Sequence, residues 1–420
     1  MRTLKSVKQR YLPSANVTKL MEDFRQMTND CIRTGLEFEG RSDSGTKTPS
    51  MRRLSLLSYG QLKGYGGYSG YRLCAISKAA GILSSRRKSI RRGFQTRKPY
   101  VRKLMLTSCY GFRIENGRLF IHLDAKTFES VPLNSHSIKI LSDKRLKVRS
   151  FTLTETSLSL CISKECADAK ECADRITSTI GIDRNLRNLA VGNDERITYY
   201  DMSEIVKIAG NTRSILRSFR RTDVRLTSEI ATKYGRRKRE RVGQILHRVS
   251  KDVVASARAN QQAIVFEEIT GIRKLYRKGN GQARAYRSKM NSWPFHEIKR
   301  QIEYKAAWEG VPVITLSAKE TKGTTMDCPR CGERLQVPVR GDNLHYRQLW
   351  CDACRRWWER DTCAVLNISR RGWVRFAHSK REEQGEASEA VKGNAEHEGE
   401  PLILRVDASK PGIRPNQTRT

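Results

Sequence analysis

Four cysteines in the last third of the chain constrain its fold more than any other feature. They form two Cys-x2-Cys pairs, Cys328/Cys331 and Cys351/Cys354, with 19 residues between the pairs. Each pair makes a short turn that presents two thiolates, and this spacing is typical of a zinc ribbon. The sequence therefore predicts one structural Zn²⁺ per chain, bound tetrahedrally by these four side chains.

The charge of the chain indicates the class of its partners. Its 420 residues carry a formal net charge of +37, which favours binding to polyanions such as nucleic acids. No apolar run reaches the ~18 residues that a membrane span requires, and the basic amino terminus lacks the apolar stretch of a signal peptide. We therefore expect a cytoplasmic, nucleoid-associated protein with no membrane partner, whose remaining cysteines are reduced thiols.

The hydrophobic period divides the first 175 residues into two kinds of structure. Residues 13–99 place apolar side chains at helical spacing, and we expect them to form a helical nucleic-acid recognition lobe. Residues 100–175 change to period-two alternation, with a tight turn at Asn116-Gly117. Together with a basic strand at 1–12, they predict a small antiparallel β-barrel, a wedge-like domain.

Beyond this point short apolar runs alternate with amphipathic stretches, which predicts an α/β domain. We assign residues 176–320 and 356–375 to this domain, and residues 321–355 to the zinc ribbon inserted into it. Residues 376–420 include the polar, acidic run REEQGEASEAVKGNAEHEGE, which has no apolar period. For these last residues we predict a disordered acidic tail.

Basic side chains gather at two helical positions. One group follows the second predicted helix, and Phe94 and Tyr100 lie close behind it in the sequence. Basic runs are often only solvated surface, but interleaved aromatic residues suit a groove that binds phosphates and bases. We therefore predict nucleic-acid contacts at Arg86, Arg87, Lys88, Arg91, Arg92, Arg236 and Arg237.

Three acidic residues stand where a carboxylate is costly unless it serves a site. Asp183 and Glu267 end buried strands, and Asp361 begins the helix after the ribbon, seven residues beyond Cys354. Each alone would pass for a turn or cap residue, but strand ends from distant segments can converge at one edge of a sheet. Hard carboxylates in this arrangement suit two Mg²⁺ ions. The seven histidines show no ligand-like pairing, which disfavours a hydrolytic zinc site.

These motifs resemble those of the TnpB family of transposon-encoded, RNA-guided nucleases, which is related to the compact type V CRISPR effectors. The segments GIDRNLRNLAVG, IVFEEITGI, CPRCG with CDAC, and RDTCAVLNI are similar to three RuvC-like nuclease motifs and a zinc ribbon before the third. The resemblance implies an RNase H-like (RuvC-like) α/β nuclease domain in a multidomain chain. It places catalytic, magnesium-binding roles on Asp183, Glu267 and Asp361. It also selects Glu267 over Glu268, since strand alternation says only that these two point to opposite faces.

The same resemblance implies a function and its partners. The chain would be an RNA-guided DNA endonuclease of an insertion sequence, which hydrolyses double-stranded DNA matched to a guide RNA in the presence of Mg²⁺. Assembly into a homodimer stays open. Two alternatives are a guide-dependent repressor or accessory transposition factor that does not cut, and a resolvase-like nuclease without a guide. The complete set of three acids argues against the first alternative, and the basic amino-terminal half argues against the second.

Overall fold

The computed structural model describes most of the chain, and it divides into two compact units, Arg2–Glu165 and Cys166–Thr420. The described residues are 2–40, 48–124, 126–165, 173–220, 222–269, 271–277, 279–337, 347–384, 401–410 and 416–417.

The amino-terminal unit packs helices and two antiparallel sheets around one hydrophobic core. Its helices are α1 (Ala15–Gly40), α2 (Met51–Ser58), α3 (Ser69–Arg91) and α4 (Ser135–Leu141). Its strands are β1 (Arg2–Arg10), β2 (Met105–Ser108), β3 (Phe112–Glu115), β4 (Arg118–His122), β5 (Phe128–Pro132), β6 (Leu146–Thr154) and β7 (Ser157–Glu165). The first sheet has the order β1-β7-β6-β2, and the second has the order β3-β4-β5.

The predicted barrel is not closed among the described residues, because the strands of this unit form two separate sheets. The predicted hairpin at Asn116-Gly117 is present and joins β3 to β4. Helices rather than further strands complete the core: Phe24 of α1 and Ile76 of α3 belong to the same buried cluster as Leu153 of β6. The predicted helical lobe and strand domain therefore share a single core, since neither buries its apolar face alone.

The carboxyl-terminal unit is an α/β structure with a small two-stranded hairpin. Its helices are α5 (Ser203–Ser218), α6 (Ala231–Ala259), α7 (Ile272–Leu275), α8 (Arg284–Ser292), α9 (Phe295–Glu309) and α10 (Arg360–Gln384). Its strands are β8 (Ser178–Arg184), β9 (Asn188–Gly192), β10 (Arg196–Asp201), β11 (Gln262–Glu267), β12 (Val313–Leu316), β13 (Gln348–Cys351), β14 (Arg356–Glu359), β15 (Leu402–Asp407) and β16 (Asn416–Gln417).

One mixed sheet organises this unit, with the strand order β12-β11-β8-β9-β10-β15-β16 among the described residues. Strands β8, β9 and β10 are antiparallel neighbours, while β11 runs parallel to both β8 and β12. Helices α6 and α9 cover one face through a core that includes Ile182, Phe266 and Ile298. Helix α10 covers the other face, where Ile368 packs on Val265.

Two glycines let α10 approach this face closely. A Cβ atom on Gly181 of β8 would lie 2.3 Å from the carbonyl oxygen of Val365 and 2.8 Å from the backbone nitrogen of Ser369. A Cβ atom on Gly372 of α10 would lie 2.3 Å from a methyl carbon of Val265. Any larger side chain would push the helix from the sheet, so these positions fix how closely the middle of α10 packs on β8 and β11.

The prediction of a disordered tail from residue 376 is wrong for the end of α10, for β15 and for β16, which pairs with β15. Helix α10 continues to Gln384, and Leu402–Asp407 adds to the sheet as β15, parallel to β10. The reason is the alternation within Leu-Ile-Leu-Arg-Val-Asp, which buries Leu404 and Val406 on one side. Residues 385–400, 411–415 and 418–420 of the predicted tail lie outside the described residues.

Candidate active site and cysteine centre

The structure brings the three predicted acids to one edge of the sheet. Asp183 is the next-to-last residue of β8, Glu267 ends β11, and Asp361 lies in the first turn of α10. Strand alternation puts Asp183 on the same face as Gly181, and Glu267 on the same face as Val265. This is the face that α10 covers, so the helix places its own carboxylate beside the other two.

The charge of this site is largely buried and only partly compensated. Asp183 and Asp361 are 8% and 4% exposed. Burial, followed by the charges of Glu267 and Asp361, raises the pKa of Asp183 to about 7, and this outweighs the hydrogen bond from the Nδ2 of Asn185 to its Oδ2 at 2.7 Å. Burial also raises the pKa of Glu267. Burial thus disfavours the ionised forms of Asp183 and Glu267 unless a cation neutralises them.

Asp361 has two partners that the sequence did not predict. The Nδ2 of Asn188, at the start of β9, donates to its Oδ2 at 3.1 Å, and the guanidinium of Arg347 forms an ion pair with the same oxygen. Arg347 is held near the helix because its carbonyl oxygen accepts a hydrogen bond from the backbone N–H of Arg360 at 2.8 Å. Arg347 therefore compensates the negative charge of Asp361.

The sequence could have indicated that Arg347 lies near Asp361, but only if the register of the β13–β14 hairpin were known. Strand β13 pairs with β14 so that Gln348 lies opposite Glu359. One step further along this ladder sets residue 347 beside the start of α10. The cysteine spacing predicts the hairpin but not its register, so this neighbour of the acids could not be placed from the sequence alone.

The three carboxylates fit hard divalent cations by the chemistry of their donors, since carboxylate oxygens are the ligands that Mg²⁺ prefers. They are not drawn together around a single point. Within the part of the chain that the structure describes, the four cysteines form the only group of three or more ligand side chains whose ligand atoms all lie within 4.8 Å of one another. The three acids therefore converge at one edge of the sheet but do not form a compact ligand cluster like that of the cysteines.

Glu268 lies outside this arrangement, as alternation predicts. Its side chain is exposed, whereas that of Glu267 is partly buried. The backbone N–H of Glu268 donates to the carbonyl of Leu316 at 2.9 Å and so continues the pairing of β11 with β12. The two adjacent glutamates therefore form a natural pair of site residue and control.

The four predicted cysteines lie together in the structure. The sulfur atoms of Cys328 and Cys354 are 3.8 Å apart, and those of Cys331 and Cys351 are 3.5 Å apart. Four sulfurs at ~2.3 Å from a tetrahedral Zn²⁺ would be separated by roughly 3.8 Å. The cluster has the spacing and the donors that a zinc ion requires.

The cysteine centre is tied to the helix that carries Asp361. The side-chain amide of Asn367 in α10 donates to the carbonyls of Thr324 and Asp327, at 2.9 and 2.8 Å. These carbonyls lie just before Cys328. A metal in the cysteine cluster would therefore support the segment on which α10, and with it Asp361, is seated.

The predicted basic contacts differ in their exposure. Arg86 is half-buried and donates to Glu39 at 2.8 Å, so its charge is compensated within the amino-terminal unit. Lys88, Arg91 and Arg92 are exposed at the end of α3, and Phe94 beyond them is 64% exposed. In the other unit, Arg236 and Arg237 are exposed on α6. The exposed members are the ones available to a polyanion.

No helix in the described portion of the chain combines the length and the apolar character needed to span a bilayer.

Part of the chain is similar in sequence to known proteins. A family profile described as the Cas12f1-like TNB domain matches residues 295–368, which include all four cysteines and Asp361. The TnpB-like protein MJ0751 of Methanocaldococcus jannaschii is 31% identical over 136 residues, which cover 32% of this chain and 45% of that protein. The chain thus aligns with less than half of that relative's length.

Solved structures extend the likeness to the fold. The cryo-EM structure of the Cas12f1–sgRNA–target DNA complex is similar with a TM-score of 0.56 and 14% identity, over 85% of this chain and 83% of that one. At this identity the likeness concerns the multidomain α/β architecture alone. The structure of the mini-RNA-guided endonuclease CRISPR-Cas-phi3 is more distant, with a TM-score of 0.45 and 8% identity, and carries no argument.

Proposed function

We propose that this chain, which resembles the Cas12f1-like TNB domain over residues 295–368 and a TnpB-like protein over 136 residues, is an RNA-guided DNA endonuclease of an insertion sequence. The observation that carries this proposal is the convergence of Asp183, Glu267 and Asp361 at one sheet edge, where burial, followed by the charges of the other two acids, raises the pKa of Asp183 to about 7. A site that gathers buried carboxylates at a cost in free energy is suited to binding cations.

The strand order supports an RNase H-like, RuvC-like domain for this chemistry. Three consecutive antiparallel strands, β8 to β10, are followed by β11 and β12, which run parallel to β8 on its other side. The acids come from the first strand, the fourth strand and the helix that covers one face. In this proposal the cysteine cluster binds one structural Zn²⁺ and holds α10 in place.

Each acid has a role in the proposed site. Asp183, Glu267 and Asp361 would hold two Mg²⁺ ions, which when bound lower the pKa of an attacking water and stabilise the leaving oxygen of a DNA phosphodiester. Asp183 is close enough to be influenced by both other carboxylates, so all three side chains would share in holding the ions.

The amino-terminal unit would bind the guide. Its exposed cations at Lys88, Arg91 and Arg92, with the exposed ring of Phe94, supply phosphate contacts and a stacking surface. We propose that residues 13–99 serve as the recognition lobe for guide RNA and its target. Of the predicted wedge-like domain at 1–12 and 100–175, the strands within Arg2–Arg10 and 105–165 belong to this unit and would form its wedge-like part.

The test is guided cleavage. The purified protein should carry a discrete RNA, and in Mg²⁺ it should cut a plasmid library that contains the matching sequence next to randomised flanks. Asp183→Asn should retain the RNA and bind the target without cutting it. Discrete RNA with no cutting by the unaltered protein would indicate a guide-dependent binding factor. Cutting without any RNA would indicate an unguided nuclease.

A further inference from the structure

Arg184 directly follows the first catalytic acid of the proposed site, but it lies on the opposite face of the sheet. It is 6% exposed. Its Nη2 donates to the backbone carbonyl of Glu267 at 2.6 Å, and its Nη1 donates to the backbone carbonyl of Phe295 at 3.1 Å. The guanidinium also lies over the ring of Phe266, 5.4 Å from its centroid.

These contacts act where the ladder between the two strands stops. The register of β8 against β11 ends with Ile182 opposite Phe266. Asp183 and Glu267 are the next residue on each strand, so their separation is not set by that register. The guanidinium of Arg184 reaches from β8 to two backbone carbonyls: that of Glu267 and that of Phe295, which is the first residue of α9. It therefore ties three elements together at the level of the acids.

Burying the guanidinium of Arg184 costs desolvation free energy. Burial lowers the pKa of Arg184, and the neighbouring Glu267 and Asp183 oppose that shift. An apolar side chain would pack against Phe266 without a desolvation cost. What it would not supply is a planar fork of donors for two carbonyls at fixed positions, which is the property that distinguishes arginine.

We propose that Arg184 is a positioning residue of the nuclease site, which sets the backbone of Glu267 and thereby the spacing of its carboxylate from Asp183 for metal binding. This inference rests on the proposed function, since it assumes that these acids bind the metal. It assigns to Arg184 a structural effect on the ligands and no contact with the substrate.

Positioning can be separated from simple charge compensation, because the two roles predict opposite signs. If Arg184 only neutralised the acids, removing its charge would strengthen the binding of a divalent cation. If it positions Glu267, then Arg184→Lys, which keeps the charge, and Arg184→Met, which keeps much of the volume, should both weaken binding. Loss of a residue that orients a ligand typically reduces metal affinity about tenfold or more.

The experiment is a calorimetric titration of the zinc-loaded full-length protein with Mn²⁺, without nucleic acid. We expect both variants to bind Mn²⁺ at least about tenfold more weakly than the unaltered protein, and Asp183→Asn to give the reference for a damaged site. In cleavage assays Arg184→Lys should need more Mg²⁺ for half-maximal rate and regain most of its rate at saturating Mg²⁺. Lys keeps the charge and should fold even if Met does not.

The inference is overturned if Arg184→Lys binds Mn²⁺ as tightly as the unaltered protein, or if Arg184→Met binds it equally or more tightly. A fall in melting temperature with unchanged Mn²⁺ affinity would likewise reduce Arg184 to a packing residue. Failure of the proposed function appears differently: the unaltered protein would then bind Mn²⁺ but cut no DNA, while the ranking of the variants in calorimetry would still test Arg184.

Discussion

Replacing Asp183 by Asn should stabilise the magnesium-free protein at alkaline pH. In the folded protein the pKa of Asp183 is raised from 3.8 to about 7, so folding favours its protonated form. The cost of ionising it is absent below about pH 4, grows as the pH rises towards 7, and is complete above 7. An Asn side chain never ionises, has nearly the same volume, and can still accept the hydrogen bond from Asn185.

The magnitude follows from the shift. A displacement of roughly three pKa units at ~1.36 kcal/mol each corresponds to about 4 kcal/mol at pH 8. This is a ceiling, because water that enters the site would reduce it. Between pH 8 and pH 5 the advantage of Asn should fall by about 3 kcal/mol, since roughly two of those units lie between pH 5 and the folded-state pKa.

The assay is urea unfolding of both proteins at pH 8 and pH 5. The buffer should lack magnesium but also lack chelators, so that a metal in the cysteine cluster stays bound. Added Mg²⁺ should narrow the gap at pH 8, because it stabilises the ionised carboxylates of the unaltered protein alone. Equal stability of the two proteins at pH 8, or a less stable Asp183→Asn, would refute the reasoning about buried, mutually repelling acids.

Three further predictions concern the metal centre, the helix and the guide. Cys351→Ser should lose about one Zn²⁺ per chain in metal analysis, because a tetrahedral thiolate site needs all four ligands; a full zinc complement in that variant would contradict the assignment. Gly181→Ala should cost about 1–3 kcal/mol through overpacking and should abolish cleavage, because the added Cβ would lie 2.3 Å from a carbonyl oxygen of α10. Gly210→Ala is its control, since a Cβ there meets nothing within 4 Å, and equal activity of the two variants would show that the helix is not held by this contact. Replacing Arg91 and Arg92 together by Ala should weaken RNA binding and reduce the slope of log affinity against log salt by roughly two; an unchanged slope would mark them as solvated surface.

The site was predictable where the chemistry depends on residue type and local position. Asp183 and the pair Glu267-Glu268 could be identified because carboxylates at the ends of buried strands need a reason to be there, whereas the choice of Glu267 over Glu268 came from the family resemblance. The four cysteines could be paired by spacing alone. The ion pair of Asp361 with Arg347 could not be predicted, because Arg347 reaches Asp361 through the register of a hairpin that cysteine spacing does not determine. Arg184 also stayed unnoticed, since its contacts are with backbone carbonyls that no sequence pattern marks.

The hydrophobic period of the sequence predicted the helices and strands well, but it predicted less well how the sheets close or pack. Alternation in residues 100–175 indicated strands and the Asn116-Gly117 turn, but it fixes only which side chains share a face. Whether sheets close into a barrel or pack on helices depends on distant apolar surfaces such as those of Phe24 and Ile76. At the carboxyl end, acidic composition masked the short alternating strand Leu402–Asp407.

The most direct test of the central claim compares two neighbouring glutamates. Glu267→Gln and Glu268→Gln should be assayed on guide-matched DNA in Mg²⁺, with bound RNA and target affinity measured in parallel. Glu267→Gln should lose cleavage but keep RNA and target binding, because the partly buried carboxylate of Glu267 lies near Asp183, whereas Glu268→Gln should cut normally, because Glu268 is exposed. Normal cleavage by Glu267→Gln would contradict the assignment of these carboxylates as the nuclease site.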